Sequence, residues 1–481
     1  MSVRTAGNPT PAAVPATLVV DVEMGTSADA TAVAVVDGVE AALGAPGTRR
    51  DGEYDRAWVL LRRGGHPVRD LDVPLPATVR QVAEAVSPFP AARDDRAPVA
   101  DADLPSISVV VPTVVGRHDE LDRCLASLAD LRYPSFEVIV VDNRPIRPVG
   151  DVLPGLLAQH PLVRVLHEPR PGISAARNAG LAAATGEVVA FTDDDVRVDR
   201  GWLLALGARF AARPEEDVVT GLVVPEELLT PAQRAYETHY GGFGGQRAYA
   251  PVHVRGVHPE RPGTVTEVDA RGQVVRTFAV YGIGAFGAGA NMAFRRDALL
   301  ALGGFDVRLG TGTPARGGED LAALIDVLWR GGNLGYEPSA LVHHTHRREM
   351  DQLERQLRGN GTGFTAMLTS LVVKDVTHGR VLARLLPGAV ATMVRQAVQK
   401  ISSPRTSSGP SQPPRGPGTR RLVVLELSGM PLGPMAYYRS RSVDRARRLD
   451  AAREGRTPPV PGDLVTPRAD AGLLTVLRPR G

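Results

Sequence analysis

The stretch of this sequence best suited to chemistry is Phe191-Thr192-Asp193-Asp194-Asp195. It follows Val188-Val189-Ala190 and precedes Val196-Arg197-Val198. Three consecutive carboxylates at the end of a buried strand lose hydration and repel one another. A hard divalent cation with oxygen ligands, Mg²⁺ or Mn²⁺, offsets that cost. A cation that also grips a diphosphate makes the place a nucleotide or nucleotide-sugar site. Taken alone, the triplet also reads as a solvated acidic turn.

The elements that must position these carboxylates alternate strand and helix. Ile107–Thr113, Phe136–Asp142, Leu162–Leu166 and Glu187–Thr192 read as strands, the first two as near-continuous apolar runs. Leu121–Leu131 and Ala175–Thr185 read as the helices between them. Apolar strands with intervening helices argue a mostly parallel α/β sheet covered on both faces. Ligands of such sheets sit outside the carboxyl ends of the strands. Asp142 and the Asp193–Asp195 triplet both lie at such ends.

Further motifs follow in order. Pro171-Gly-Ile-Ser-Ala-Ala-Arg-Asn-Ala-Gly180 opens a helix with Ser174 as expected N-cap, and Arg177 and Asn178 fall in its first turn, where a nucleotide or diphosphate could be bound. Gly284 to Arg296 is a glycine-rich approach to a strand, followed by Gly303-Gly-Phe-Asp306. Arg316-Gly-Gly-Glu-Asp-Leu321 opens another helix, and Val342-His-His-Thr-His-Arg347 follows a short strand-like stretch. In this order, over Ile107 to Arg347, the blocks resemble a family 2 glycosyltransferase with the GT-A fold.

That resemblance implies a Rossmann-like sheet and inverting transfer of a sugar from a nucleotide-sugar donor (UDP-, GDP- or dTDP-linked) to a hydroxyl acceptor. It implies that Asp142 binds the nucleobase or ribose and that Arg177 and Asn178 border the nucleotide pocket. It makes the triplet a DXD-type motif, with Asp193 and Asp195 nearest a Mn²⁺ or Mg²⁺ ion and Asp194 toward the ribose. Glu319-Asp320 becomes the Glu-Asp pair, with Asp320 as general base on the acceptor hydroxyl. His344, 24 residues beyond Asp320, matches the spacing of a metal-binding histidine in some members, with His343 and His346 as alternatives. The sequence has no Gln-x-x-Arg-Trp motif beyond a partial echo at Trp329-Arg330, which argues against a processive synthase. Two other classes compete. A nucleotidyltransferase needs a Gly-rich loop after its first strand, but Thr113–Asp119 holds one glycine. An inactive scaffold would have no use for the carboxylates and His344 together.

Around this core we expect a disordered stretch 1–16, a small α+β accessory module over 17–100, and a glycosyltransferase domain over 105–375. Within the module, 57–61 and 68–75 read as strands and 77–86 as a helix. Residues 236–281 read as a long loop near the site. An amphipathic helical segment over 376–400, a Pro/Ser/Gly linker over 401–420 and a basic extension over 421–481 complete the chain. In the extension, 422–427 reads as a strand or short helix. Of the 481 residues one is cysteine, Cys124, in an apolar helical pattern, which excludes a disulfide framework. Residues 401–481 hold 14 arginines against 6 acids, whereas the whole chain carries only +3. With no apolar run of membrane-spanning length, a cytoplasmic protein is expected, with peripheral membrane contact through 379–400 and the basic C-terminus and no nucleic-acid partner.

Overall fold

The computed structural model describes residues 16–44, 54–87, 99–148, 151–240, 243, 247–269, 271–385, 387–388 and 419–453. The expected tail and linker therefore lie outside the described residues, except for Ala16, Thr419 and Arg420.

The N-terminal part comprises β1 (Ala16–Glu23), α1 (Ala28–Leu43), β2 (Tyr54–Arg63), β3 (His66–Pro74) and α2 (Val79–Val86). β1 pairs parallel to β2, and β2 antiparallel to β3, in a three-stranded sheet. A capping box starts α2: Gln81 N donates to Thr78 Oγ1, and Thr78 N donates to the Gln81 carboxamide. Of these elements β1 and α1 are not evident in the sequence. α1 is built largely of Ala and Val around an interior Gly38, so its amphipathic stripe is weak.

The second sheet contains β4 (Ile107–Thr113), β5 (Phe136–Asp142), β6 (Val163–His167), β7 (Val188–Phe191), β8 (Val196–Val198), β9 (Glu216–Pro225), β10 (Val252–Arg255), β11 (Thr264–Val268), β12 (Val274–Ala279), β13 (Met292–Arg295) and β14 (Asn333–His344). Its order is β12-β11-β10-β14-β9-β13-β7-β4-β5-β6, with β8 on β14. The half β7-β4-β5-β6 is parallel. β13 enters antiparallel between β7 and β9, and β10–β12 add an antiparallel meander at the other edge. That meander lies where the sequence suggests a loop. Its strands are short and β12 is largely exposed, so they carry no apolar alternation to read.

Alternation along the parallel strands feeds two cores. Val110, Ile139, Val141, Val189 and Phe191 enter one, and Val109, Val111, Val138, Val140, Val188 and Ala190 the other. The covering helices are α3 (His118–Ala129), α4 (Leu153–Leu157), α5 (Ile173–Ala183), α6 (Trp202–Ala212), α7 (Pro231–Tyr240), α8 (Arg296–Leu302) and α9 (Glu319–Trp329). The N-terminal module is seated on this body through Trp58 and Leu60, which join Leu222, Val224, Leu228 and Leu341 in one buried cluster.

α10 (Met350–Lys374) runs on into helical residues 376–385, here α11, where Val381 is buried against Gly263. α12 (Thr419–Gly429) and α13 (Gly433–Arg453) form a helical pair on α10. The 422–427 segment is therefore helical. The crossing is close: a Cβ on Gly361 would stand 1.9 Å from the Glu426 carbonyl oxygen.

Candidate functional site

β7 ends at Phe191 and hands the chain to the acidic turn. Thr192 anchors it, its N–H donating to Val110 O (3.3 Å) and its Oγ1 to Ala290 O (3.0 Å). Thr345 N donates to Asp195 O (2.9 Å), tying the end of β14 to the triplet. Each carboxylate has its own partner. Asp193 accepts from Arg177 Nη2 at 3.1 Å, and Asp194 from Thr113 Oγ1 at 2.6 Å. Asp195 accepts from Arg117, and His344 Nε2 lies 3.3 Å from Asp195 Oδ1.

These neighbours set the charges. Burial, helped by the charge on Asp195, pushes Asp194 up to about 6. Burial also opposes the charge of Asp195, but His344 and Arg117 outweigh it and hold its carboxyl below the usual range. Burial drives the His344 imidazole down to about 4 despite the nearby Asp195, leaving it neutral near pH 7, the form that ligates metals.

One ligand atom each from Asp193, Asp195 and His344 lie within 4.8 Å of one another. Asp195 Oδ1 is buried without a hydrogen-bond partner among the described residues. Carboxylate oxygens with one neutral imidazole fit a Mn²⁺ or Mg²⁺ ion. Of the neighbouring histidines, His343 points to the opposite face of β14, 3.3 Å from Asp21 Oδ2 of the N-terminal module. His346 stands behind His344, the two Nδ1 atoms 3.1 Å apart.

Beneath the triplet lies Arg177, 1% exposed. Its Nη1 donates to Glu319 Oε1 (2.8 Å) and its Nη2 also to Gly289 O (3.1 Å). Arg177 is thus the buried counter-charge joining the triplet to the Glu-Asp pair. Both ends of the Asn178 amide are used on Phe305, donating to O and accepting from N at 2.8 Å each. Ser174 is not the N-cap. Gly172 holds that position at φ 130°, and Ser174 Oγ donates to Leu309 O (2.9 Å).

α9 begins at Gly318 and turns its first two residues in different directions. Glu319 is buried against Arg177, and burial together with repulsion from Asp320 pushes its carboxyl up to about 7. Asp320 is only half-buried; its Oδ2 accepts from Gly289 N (2.8 Å) and its Oδ1 from Leu321 N (2.8 Å). Its charge reaches Asp193. A Cβ at position 289 would stand 2.8 Å from Arg177 Nη2, so a side chain there would displace the guanidinium. Of the two acids, Asp320 is therefore the one available to an incoming group.

Asp142 ends β5 as expected but is fully buried and committed. Arg144 donates to it through Nε (2.8 Å) and Nη2 (2.9 Å), and Arg147 through Nε (2.8 Å). Burial opposes its charge, but these arginines hold the carboxyl below its ordinary range. Both its oxygens are ion-paired, and Arg147, 45% exposed, is the group displayed there. Arg117 and Thr113 are site residues that the sequence reading passed over. Their signal is the loop after the first strand, which holds Val115 at φ 53°, as Arg316 is held at φ 66° before the Glu-Asp pair. A cavity of about 440 Å³ lined by Arg213, His253, Arg255 and His258 is distinct from this cluster.

Residues 108–303 match the family model described as Glycosyl transferase family 2. That stretch of the chain is therefore similar to glycosyltransferase family 2 domains, and it contains the parallel half of the α/β sheet. It is 34% identical over 249 residues to the pre-mycofactocin glycosyltransferase of Mycobacterium tuberculosis, covering 51% of this chain and 43% of that one. It is 29% identical over 280 residues to the succinoglycan biosynthesis protein ExoM of Rhizobium meliloti, covering 56% and 74%. Among solved structures, the mannosyltransferase PcManGT of Pyrobaculum calidifontis, in complex with GDP-Man and Mn²⁺, aligns over 76% of this chain and 81% of that one, with 17% identity and TM-score 0.38. The chain spans less than half the length of the mycobacterial relative.

Proposed function

We propose that the protein is a divalent-cation-dependent inverting glycosyltransferase that moves a sugar from a nucleoside-diphosphate donor to an acceptor hydroxyl. The observation that carries this reading is the convergence of Asp193, Asp195 and His344 on one point, with Asp320 held beside them by Gly289, whose carbonyl accepts from Arg177. Asp193, Asp195 and His344 hold the cation, Mn²⁺ or Mg²⁺. When bound, it supplies positive charge to the leaving diphosphate. Thr113 and Asp194 meet the ribose, and Asp142 acts through the arginines it holds at the end of β5. Asp320 takes the proton of the incoming hydroxyl, while Glu319 stays inside on Arg177. Relatives named for pre-mycofactocin and for succinoglycan biosynthesis support a non-nucleic-acid acceptor.

No helix of the described residues is long and apolar enough to cross a membrane. The same reading places the enzyme in the cytoplasm. Of the expected contact segment 379–400, residues 386 and 389–400 lie outside the described residues, Val381 is buried and Leu385 is exposed; on α13, Met435 and Tyr438 are exposed beside Arg439, Arg441 and Arg445, a further surface suited to membrane contact.

The test is donor turnover. With UDP-, GDP- and dTDP-sugars as a panel, at least one should be bound and slowly hydrolysed with Mn²⁺ or Mg²⁺ and left intact in EDTA. Equal turnover in chelator would overturn the cation reading, and binding of none of the donors would overturn the transferase reading.

A further inference from the structure

A chain of buried hydrogen bonds leads away from His344, and the transfer chemistry above makes no use of it. His344 Nδ1 meets His346 Nδ1 at 3.1 Å, and His346 Nε2 meets Glu237 Oε1 at 2.7 Å. Glu237 in turn accepts from Arg247 Nη2 at 2.8 and 3.1 Å. The Arg247 guanidinium lies 5.2 Å from the Trp58 ring of the N-terminal module, which closes the far end. Aromatic rings fix the imidazole planes: Tyr236 packs on His346 at 4.7 Å and Phe243 on His344 at 4.8 Å.

The chain has a direction. Burial opposes the charge of Glu237, but Arg247 and His346 hold its carboxyl down at about 2, so it only accepts. His346 Nε2 must then carry a hydrogen. With one hydrogen on each ring, the His346 lone pair sits on Nδ1, so His344 Nδ1 is the donor between the two rings. That leaves His344 Nε2 bare, 3.3 Å from Asp195 Oδ1, a buried oxygen with no hydrogen-bond donor of its own. Two facing acceptors with no hydrogen between them repel unless a cation lies between them.

We propose that His346 and Glu237 are positioning residues that lock His344 in the tautomer whose bare Nε2 joins Asp193 and Asp195 around a divalent cation. The inference rests on the metal-site reading above and adds the groups that make His344 a ligand. Hydrogen-bonded partners behind a ligating histidine fix its tautomer and raise its basicity, and losing them typically costs roughly 10–100-fold in metal affinity.

The test is calorimetric titration of Mn²⁺ into the full chain, for wild type, His346→Phe and Glu237→Gln, with circular dichroism on each metal-free sample. Both variants should bind Mn²⁺ roughly 10–100-fold more weakly while keeping the wild-type spectrum. Long-range ¹H–¹⁵N spectra of the metal-free wild type should show His344 protonated at Nδ1. Unchanged Mn²⁺ affinity in a folded variant, or a His344 proton on Nε2, would overturn the proposal. Should Glu237→Gln fail to fold because Arg247 loses its charge partner, His346→Phe decides, since it keeps the ring packing. No Mn²⁺ binding by the wild type would instead bring down the metal site itself and this inference with it.

Discussion

Replacing Arg177 with methionine tests the central electrostatic claim. The side chain is 1% exposed and lies between Glu319 at 2.8 Å and Asp193 at 3.1 Å, with Asp320 close by. Methionine fills the volume but leaves buried acids without their cation, and breaking a buried pair in this way costs about 3–5 kcal/mol. The loss should depend on pH. The Glu319 carboxyl already sits near 7 against an ordinary 4.5, so the native state binds more protons than the unfolded chain across that interval. Its contribution to stability therefore falls as pH rises from 4.5 to 7. Without Arg177 the native value moves higher still, and each further unit costs about 1.4 kcal/mol. Urea unfolding of wild type and Arg177→Met at pH 6 and pH 8 should give a larger deficit at pH 8, and Glu319→Gln should recover part of it. A deficit below about 1 kcal/mol, the scale of a surface pair, would refute the argument. So would a deficit equal at both pH values.

Asp320→Asn should keep donor affinity and lower kcat by roughly 10²–10⁴-fold, the usual worth of a general base, and near-normal turnover would exclude it from that role. Gly361→Ala should push α12 away from α10, because its Cβ meets the Glu426 carbonyl. The expected cost is about 1–3 kcal/mol, and hydrogen exchange over residues 419–453 should accelerate if the crossing depends on that glycine.

The parts of the fold that the sequence revealed are those whose side chains alternate between two cores. β4, β5 and β7 read as strands because Val109, Val110 and Val111 and their counterparts are all buried. The acidic triplet and His344 were visible because their types are costly inside a protein unless they bind something. Arg177 was visible as a residue but not as a role, since its partner Glu319 lies 142 residues away and only the folded chain joins them. The partners of Asn178 and Asp142 were hidden for the same reason: Phe305 bonds the Asn178 amide, and the arginines at 144 and 147 bond the Asp142 carboxylate. α10 was hidden because Gly359, Gly361 and Gly363 argue against a helix by propensity, whereas close packing on α12 requires glycine at 361 and the Gly317 backbone requires it at 363. In α12, Leu422 to Leu427 mixes β-branched and straight-chain residues too briefly for period to decide.

β14 pairs with β9 in two stretches, and the register breaks between Glu337 and Leu341. Asn291 Nδ2 fills the break, donating to Ala340 O (2.7 Å) and Leu222 O (3.0 Å). Beyond it, His343 and His344 face opposite sides of the sheet, one to Asp21 and one to Asp195. Because faces alternate residue by residue, one extra residue in the break would carry His343 into the place now held by His344. The acidic turn would still meet an imidazole, although Thr345 would then occupy the place of His346 and the relay to Glu237 would be lost. With two adjacent histidines, a one-residue slip at this register break would keep an imidazole beside Asp195 while losing the hydrogen bonds behind it.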